Sequence, residues 1–271
     1  MNIERCSDGA GAIAVAEFTR VDATRKYEEQ LIALQAKGMR STMRRVFARC
    51  IAELTEPDPA FDALYLEGLF LTGTSAAPLR RRDRFRRLLQ ELERALPLTG
   101  RVAECGCFRG LSSFLICSRI RQRDRGFDGS GYEIYDSFSG LSAPQAADTA
   151  TAAVDPIVAN SMQAGMFAFP LEEVQRALAA FPGISYGPGW IPEAFPSDER
   201  SYRFVHVDVD LYQPTKASLE HFWPRLVAGG VMVCDDYNWG GAKSAVDEFA
   251  AAVGAQPVIT ENTQAVFTAW K

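Results

Sequence analysis

Two rhythms of apolar residues divide the chain near Pro97. From Thr24 to Leu54, Leu31, Leu34, Met43, Val46, Phe47 and Ile51 recur at helical spacing within a highly charged stretch, which predicts one long helix or two short ones. Pro57 and Pro59 interrupt the pattern and lead into a second helical stretch. A third, Leu79 to Leu96, follows Pro78, with Leu79, Phe85, Leu88, Leu89, Leu92 and Leu96 as its apolar stripe. Arg80, Arg81, Arg82, Arg84, Arg86 and Arg87 crowd its other positions. Such a run can form a basic recognition surface, but an exposed helix face neutralised by Glu91, Glu93 and partner acids fits ordinary surface statistics better.

After Pro97 short apolar runs alternate with helical patterns. Strands are predicted at Arg101–Cys105, Gly131–Tyr135, Gly183–Tyr186, Arg203–Val209 and Gly230–Cys234. Helices are predicted between them at Leu111–Arg121, Leu171–Ala180 and Thr215–Leu226, with another at Ala242–Val253. This alternation predicts a mostly parallel sheet covered on both faces. Pro257–Thr260 and Ala265–Trp270, around a polar turn, read as a closing hairpin. Ser142–Ala168 is too long for an ordinary connection and is either a lid beside a ligand site or a short surface helix pair.

Composition narrows the class. The 271 residues are 47% hydrophobic and 23% charged, which excludes a disordered chain or a collagen-like repeat. Lys and Arg number 29 against 34 Asp and Glu, a formal charge of -5, so nothing draws the chain as a whole to nucleic acid or anionic lipid. His206 and His221 are the two histidines, which argues against an imidazole-rich zinc site and leaves carboxylates to hold any metal. No cysteine pair has C-x-x-C spacing, and Cys117 and Cys234 sit in apolar runs as in a reducing compartment. Met1 to Arg20 lacks the apolar core of a signal peptide, and no run is long enough to span a membrane. The expectation is a cytoplasmic protein without nucleic-acid or membrane partners.

Candidate chemistry lies at the ends of the predicted strands. The first runs into Glu104-Cys105-Gly106-Cys107-Phe108-Arg109-Gly110, whose glycines permit close backbone approach to a ligand before a helix opens. Its spacing differs from the dinucleotide G-x-G-x-x-G, and similar glycines also serve tight turns without a ligand. The second strand ends in Asp136, placed to hold vicinal hydroxyls of a ribose. In the run Phe204 to Tyr212, strand alternation puts His206, Asp208 and Asp210 on one side, and the next strand leads into Asp235-Asp236. If those strands are neighbours, four carboxylates converge at one edge and require a cation, best magnesium. Helix capping by Asp210, Asp235 or Asp236 is the alternative, although it leaves Asp208 unexplained. His206 is a candidate base or, more commonly for a lone strand histidine, a hydrogen-bonded core residue, and His221 reads as structural. Gly187-Pro188-Gly189-Trp190-Ile191-Pro192 is a rigid turn that either lines a cofactor pocket or anchors its loop.

Taken together, the glycine loop Val102–Gly110, the block Tyr135–Leu141, Gly189–Pro192, His206–Thr215, Val227–Tyr237 and Gly241–Phe249 resemble the macrocin O-methyltransferase (TylF-type) family. The resemblance covers about Leu98 to Lys271; the N-terminal helices match only in character. It implies an α/β fold of the class I methyltransferase (Rossmann-like) type: a doubly wound, mostly parallel seven-stranded sheet with an N-terminal helical cap. The domains implied are a helical cap or oligomerisation region at 1–97 and a methyltransferase domain at 98–271. Implied too are S-adenosylmethionine and Mg2+ as cofactors, and an acceptor with vicinal hydroxyls on a sugar moiety of a natural product such as an antibiotic. The donor would meet Glu104, Gly106, Gly110, Ser112, Asp136, Ser137, Trp190 and Asp208. By the same resemblance Asp208, Asp235 and Asp236 hold the metal and Asp210 is the general base, with His206 the other candidate. A non-catalytic donor-binding scaffold and a metal-dependent hydrolase or nucleotide-sugar enzyme are the alternatives. The amphipathic N-terminal helices predict a homo-oligomer, dimer or tetramer.

Overall fold

Arg101–Cys105 forms β1 as read from the sequence, and six further strands assemble beside it. The computed structural model describes residues 9–74, 79, 81–149, 162–238 and 240–270, with the side chains of 9–22 and 149 outside that description. The chain divides into two units, Met1–Arg82 and Asp83–Lys271.

The first unit is helical: α1 (Gly9–Ala36), α2 (Arg40–Leu54) and α3 (Pro59–Thr72). The long apolar pattern thus resolves into two helices, parted at Gly38, whose φ of 65° a side chain would strain. Asp58 caps α3 by accepting the Phe61 N–H at 3.2 Å, with Pro59 in the first turn. Leu31, Met43, Phe47, Ile51, Phe61, Tyr65 and Leu69 are buried, as the helical spacing requires.

The second unit begins with α4 (Arg82–Ala95), so the contact boundary falls at residue 83 instead of the expected 97. The reason is chemical: Arg84 bonds to Asp235, and Arg94 to Thr268, which ties the helix to the sheet. Among the described residues the sheet has β1, β2 (Tyr132–Asp136), β3 (Ser185–Pro188), β4 (Tyr202–Val207), β5 (Leu226–Cys234), β6 (Val258–Ile259) and β7 (Ala265–Thr268). Their order is β3-β2-β1-β4-β5-β7-β6. The first five pair in parallel, and β7 runs antiparallel to both β5 and β6, the expected hairpin. The strands are near-continuous apolar runs because helices cover both faces: Val102, Ala103, Ile134, Phe204, Val205, Val231, Met232 and Val233 are all buried.

The helices are α5 (Leu111–Arg123), α6 (Ala146–Thr149), α7 (Leu171–Ala177), α8 (Tyr212–Phe222) and α9 (Gly240–Val253). The expected lid, Ser142–Ala168, falls partly on residues 150–161, outside the described residues. Its two ends meet: Leu141 N–H donates to Met166 O at 2.8 Å and Gly165 N–H to Leu141 O at 2.9 Å. Asp148, on α6, also accepts the Tyr212 N–H at 2.6 Å. No described helix is long and apolar enough to cross a membrane.

Candidate active site

The chain runs outward from β1 to β2 and β3, then returns to place β4 on the other side of β1. Where strand order reverses, the connections leave in opposite directions and open a crevice at the carboxyl ends of the strands. The register lines up the candidates there. Glu104 pairs with His206 and Cys105 with Val207, and Val207 pairs with Cys234. The ladder runs one residue beyond the strands, with Asp208 N–H donating to Cys105 O and Asp235 N–H to Val207 O, each at 2.8 Å. Asp136, Gly106, Asp208 and Asp235 therefore form one row along the edge, as expected if β4 and β5 are neighbours.

Gly106 has φ 79°, and a Cβ there would lie 1.9 Å from the Asp208 carbonyl oxygen. No side chain fits. The glycine is thus required by contact between the loop after β1 and the backbone of an acid, independently of any ligand. Phe108, Phe138, Asp210 and Asp236, one on each loop after β1, β2, β4 and β5, take left-handed φ values of 49°, 53°, 59° and 61°. Such conformations cost free energy in residues other than glycine and concentrate where function demands a fixed geometry.

The β4 expectation needs correction. The strand ends at Val207, and the left-handed turn at Asp210 ends the alternation, so Asp210 does not follow Asp208 along a strand. The acids converge through the turn instead: carboxylate oxygens of Asp208, Asp210 and Asp236 lie within 4.8 Å of one another. A second group, with ligand atoms equally close, comprises His206, Asp208 and Asp235. Helix capping does not account for these acids. Leu211 occupies the N-cap of α8, Asp148 takes its Tyr212 N–H, and α9 starts only at Gly240.

Arg84 supplies the counter-charge. Its Nε donates to Asp235 Oδ2 at 2.5 Å and its two terminal nitrogens lie 3.1 Å from Asp208 Oδ1 and Asp236 Oδ1. Asp235 is further held by Gln264, whose Nε2 donates to Oδ1 at 2.6 Å. Burial works against ionisation of Asp235, yet the Arg84 and His206 charges hold its carboxyl well below the usual range. Burial pushes Asp236 up to about 7 against the pull of Arg84, helped by the neighbouring Asp208 and Asp235 charges.

His206 is fully buried, with Nδ1 3.0 Å from Glu104 Oε1 and Nε2 3.2 Å from Asp235 Oδ2, the latter contact too poorly aligned to count as a hydrogen bond. Burial would lower its pKa, but the Asp235 and Glu104 carboxylates push it up to about 10. His206 is thus sealed from solvent between the Glu104 and Asp235 carboxylates. Glu104 likewise faces inward. It is fully buried, accepting from Ser113 Oγ and from Tyr132 OH at 2.8 Å while facing His206. Ser113, Tyr132 and His206 thus enclose the Glu104 carboxylate.

Asp136 Oδ2 accepts the N–H groups of Cys107 at 2.7 Å and Phe108 at 3.2 Å, so it shapes the glycine loop. Gly110, at φ 83°, is the N-cap of α5, and Ser112 lies buried in its first turn. Ser137 closes a turn by donating to Gly140 O at 2.7 Å. Trp190 is 47% exposed, and the Gly189 N–H beside it donates to Asp136 O, so the aromatic turn abuts the end of β2. Gln264 was absent from the sequence expectations, and Arg84 was expected on an exposed helix face, whereas its side chain is only 18% exposed because the acids draw it inward. An unbalanced acidic cluster signalled that a cation was needed, but six arginines close together offered no way to single out Arg84, and a lone glutamine carried no signal.

The fold and this edge define a methyltransferase-type α/β protein. The O-methyltransferase NovP shares the fold at TM-score 0.62 and 21% identity, over 77% of this chain and 98% of that one. The calicheamicin methyltransferase CalS11 does so at 0.59 and 18%, over 79% and 94%. The chain belongs to the Macrocin-O-methyltransferase (TylF) family, whose model matches residues 72–271. It is similar, at 29% identity over 167 residues, to the 8-demethyl-8-(2,3-dimethoxy-alpha-L-rhamnosyl)-tetracenomycin-C 4'-O-methyltransferase of Streptomyces olivaceus. It is 27% identical over 175 residues to the demethyldecarbamoylnovobiocin O-methyltransferase of Streptomyces niveus. These matches span 60% and 62% of this chain and less than two thirds of each relative, 62% and 65%.

Proposed function

We propose that the protein is an S-adenosylmethionine-dependent, magnesium-dependent O-methyltransferase acting on a hydroxyl of a sugar moiety in a glycosylated natural product. The observation that carries this reading is the convergence of Asp208, Asp210, Asp235 and Asp236 at the switch point, beside a glycine loop backed onto Asp208. Family membership and the rhamnosyl-bearing substrate in the name of the Streptomyces olivaceus relative support the substrate class.

An all-oxygen donor set fits a hard divalent cation, and Asp208, Asp235 and Asp236, which share Arg84 as a partner, would hold it. When bound, such a cation supplies Lewis acidity that lowers the pKa of a coordinated hydroxyl. The loop from Gly106 to Gly110, shaped by Asp136, and the Trp190 turn form the donor side. Asp210 would accept the proton of the acceptor hydroxyl as that oxygen is methylated. When bound, the donor would supply an activated sulfonium methyl, so that the products would be a methyl ether and S-adenosylhomocysteine. His206 and Gln264 hold Asp235 in place, and positioning is the chain's chief contribution.

The test is methyl transfer to glycosylated acceptors with and without chelator, alongside calorimetry with S-adenosylhomocysteine. Asp208→Ala is expected to abolish metal-dependent turnover while donor-product binding remains measurable. Full activity of that variant in chelator would overturn the assignment, and absence of S-adenosylhomocysteine binding to the wild type would favour a hydrolase instead.

A further inference from the structure

We propose that Arg84 is an exchangeable internal counter-ion of the acidic cluster, which a divalent cation must displace in order to bind. The inference rests on the metal reading above. Each guanidinium nitrogen addresses a different carboxylate, at 2.5 Å for Asp235 and 3.1 Å for Asp208 and for Asp236. These are the groups that would ligate the metal, and carboxylate oxygens turned toward N–H donors around one guanidinium are not arranged around a second cation. Two positive groups drawn into the same ring of oxygens also repel each other.

Two observations point to exchange instead of permanent replacement. One guanidinium is shared among three carboxylates, those of Asp208, Asp235 and Asp236, so no single carboxylate is neutralised by it alone. The Arg84 side chain is also 18% exposed, unlike Arg82 at 0%, so rotation about its own torsions offers it a route to solvent. Arg84 would then protect the folded, metal-free protein from repulsion among its own acids.

The experiment measures Mn2+ binding to the full chain by electron paramagnetic resonance of the free ion, for wild type, Arg84→Gln and Arg84→Lys, with melting temperatures recorded in parallel. Arg84→Gln is expected to bind Mn2+ on the order of 10- to 100-fold more tightly, with Arg84→Lys between it and wild type. Arg84→Gln should melt below wild type in chelator and recover more on adding Mn2+. Equal or weaker binding by Arg84→Gln would overturn the proposal while leaving the metal reading intact. Failure of both wild type and variant to bind would overturn the metal reading, and this proposal with it. Should Arg84→Gln not fold, Mg2+ titration of wild type followed at the arginine Nε–H resonances decides the question. Loss of the Arg84 signal from its hydrogen-bonded position is expected, and an unchanged signal at saturating Mg2+ would overturn displacement.

Discussion

The two ends of the parallel strands treat buried charge in opposite ways. At the amino-terminal end Glu133, 1% exposed, receives Arg101 at 2.9 Å, Arg200 at 2.7 Å and the hydroxyls of Tyr135 and Tyr202. One carboxylate there meets two guanidiniums and two phenols. At the carboxyl-terminal end the proportion is reversed, with Arg84 set among Asp208, Asp235 and Asp236, left-handed turns at Asp210 and Asp236, and an unpartnered Gln264 Oε1. A network with more donors than it needs holds a structure together. One with more acceptors than its donors can satisfy is suited to receiving something else.

Substitutions can break this contrast. The largest effect is expected from Asp208→Asn, which should lower kcat by about 100-fold or more while costing little stability, because it relieves repulsion. Steady-state kinetics beside denaturant unfolding checks it, and a stability loss with normal turnover would make the two ends alike. Gly106→Ala should destabilise by roughly 3 kcal/mol or more, since its Cβ would collide with the Asp208 backbone at a left-handed φ, and urea unfolding reads this directly. Glu133→Gln should cost about 3 kcal/mol yet leave kcat unchanged below the melting transition, the converse of Asp208→Asn. Gln264→Leu should weaken Mn2+ binding by about 10-fold by releasing Asp235, as measured by calorimetry.

The smallest effect concerns pH. Burial lowers the His221 pKa to about 4, with Arg225 adding to the shift. Between that value and the ordinary histidine range the unfolded chain binds the extra proton, so stability falls as pH drops through this window. His221→Gln should flatten that part of the stability curve, as followed by melting temperature from pH 7 to 4.

Legibility followed the range of the interactions. β1 was readable to the residue because its apolar run is bounded by Gly100 and Gly106, and α9 was readable because its period is strong. The end of β4 was not, since Val209 continues the apolar alternation and only the turn at Asp210 ends it. At the site, the acids and the glycine loop could be found because like residues cluster within a few positions. Their partners could not: Arg84 lies 151 residues from Asp235, and Glu104 spends its charge on His206, 102 residues away. Long-range pairing leaves no periodic trace in a sequence.

The meeting of Leu141 with Gly165 and Met166 has an evolutionary and engineering meaning. A segment that leaves and rejoins a scaffold at one hydrogen-bonded neck behaves as a cassette, exchangeable without altering the register of the strands around it. Replacement within residues 142–164 would therefore leave the acids in place. A transplanted segment would need to keep one tether, the Asp148 carboxylate that receives the Tyr212 N–H at the start of α8.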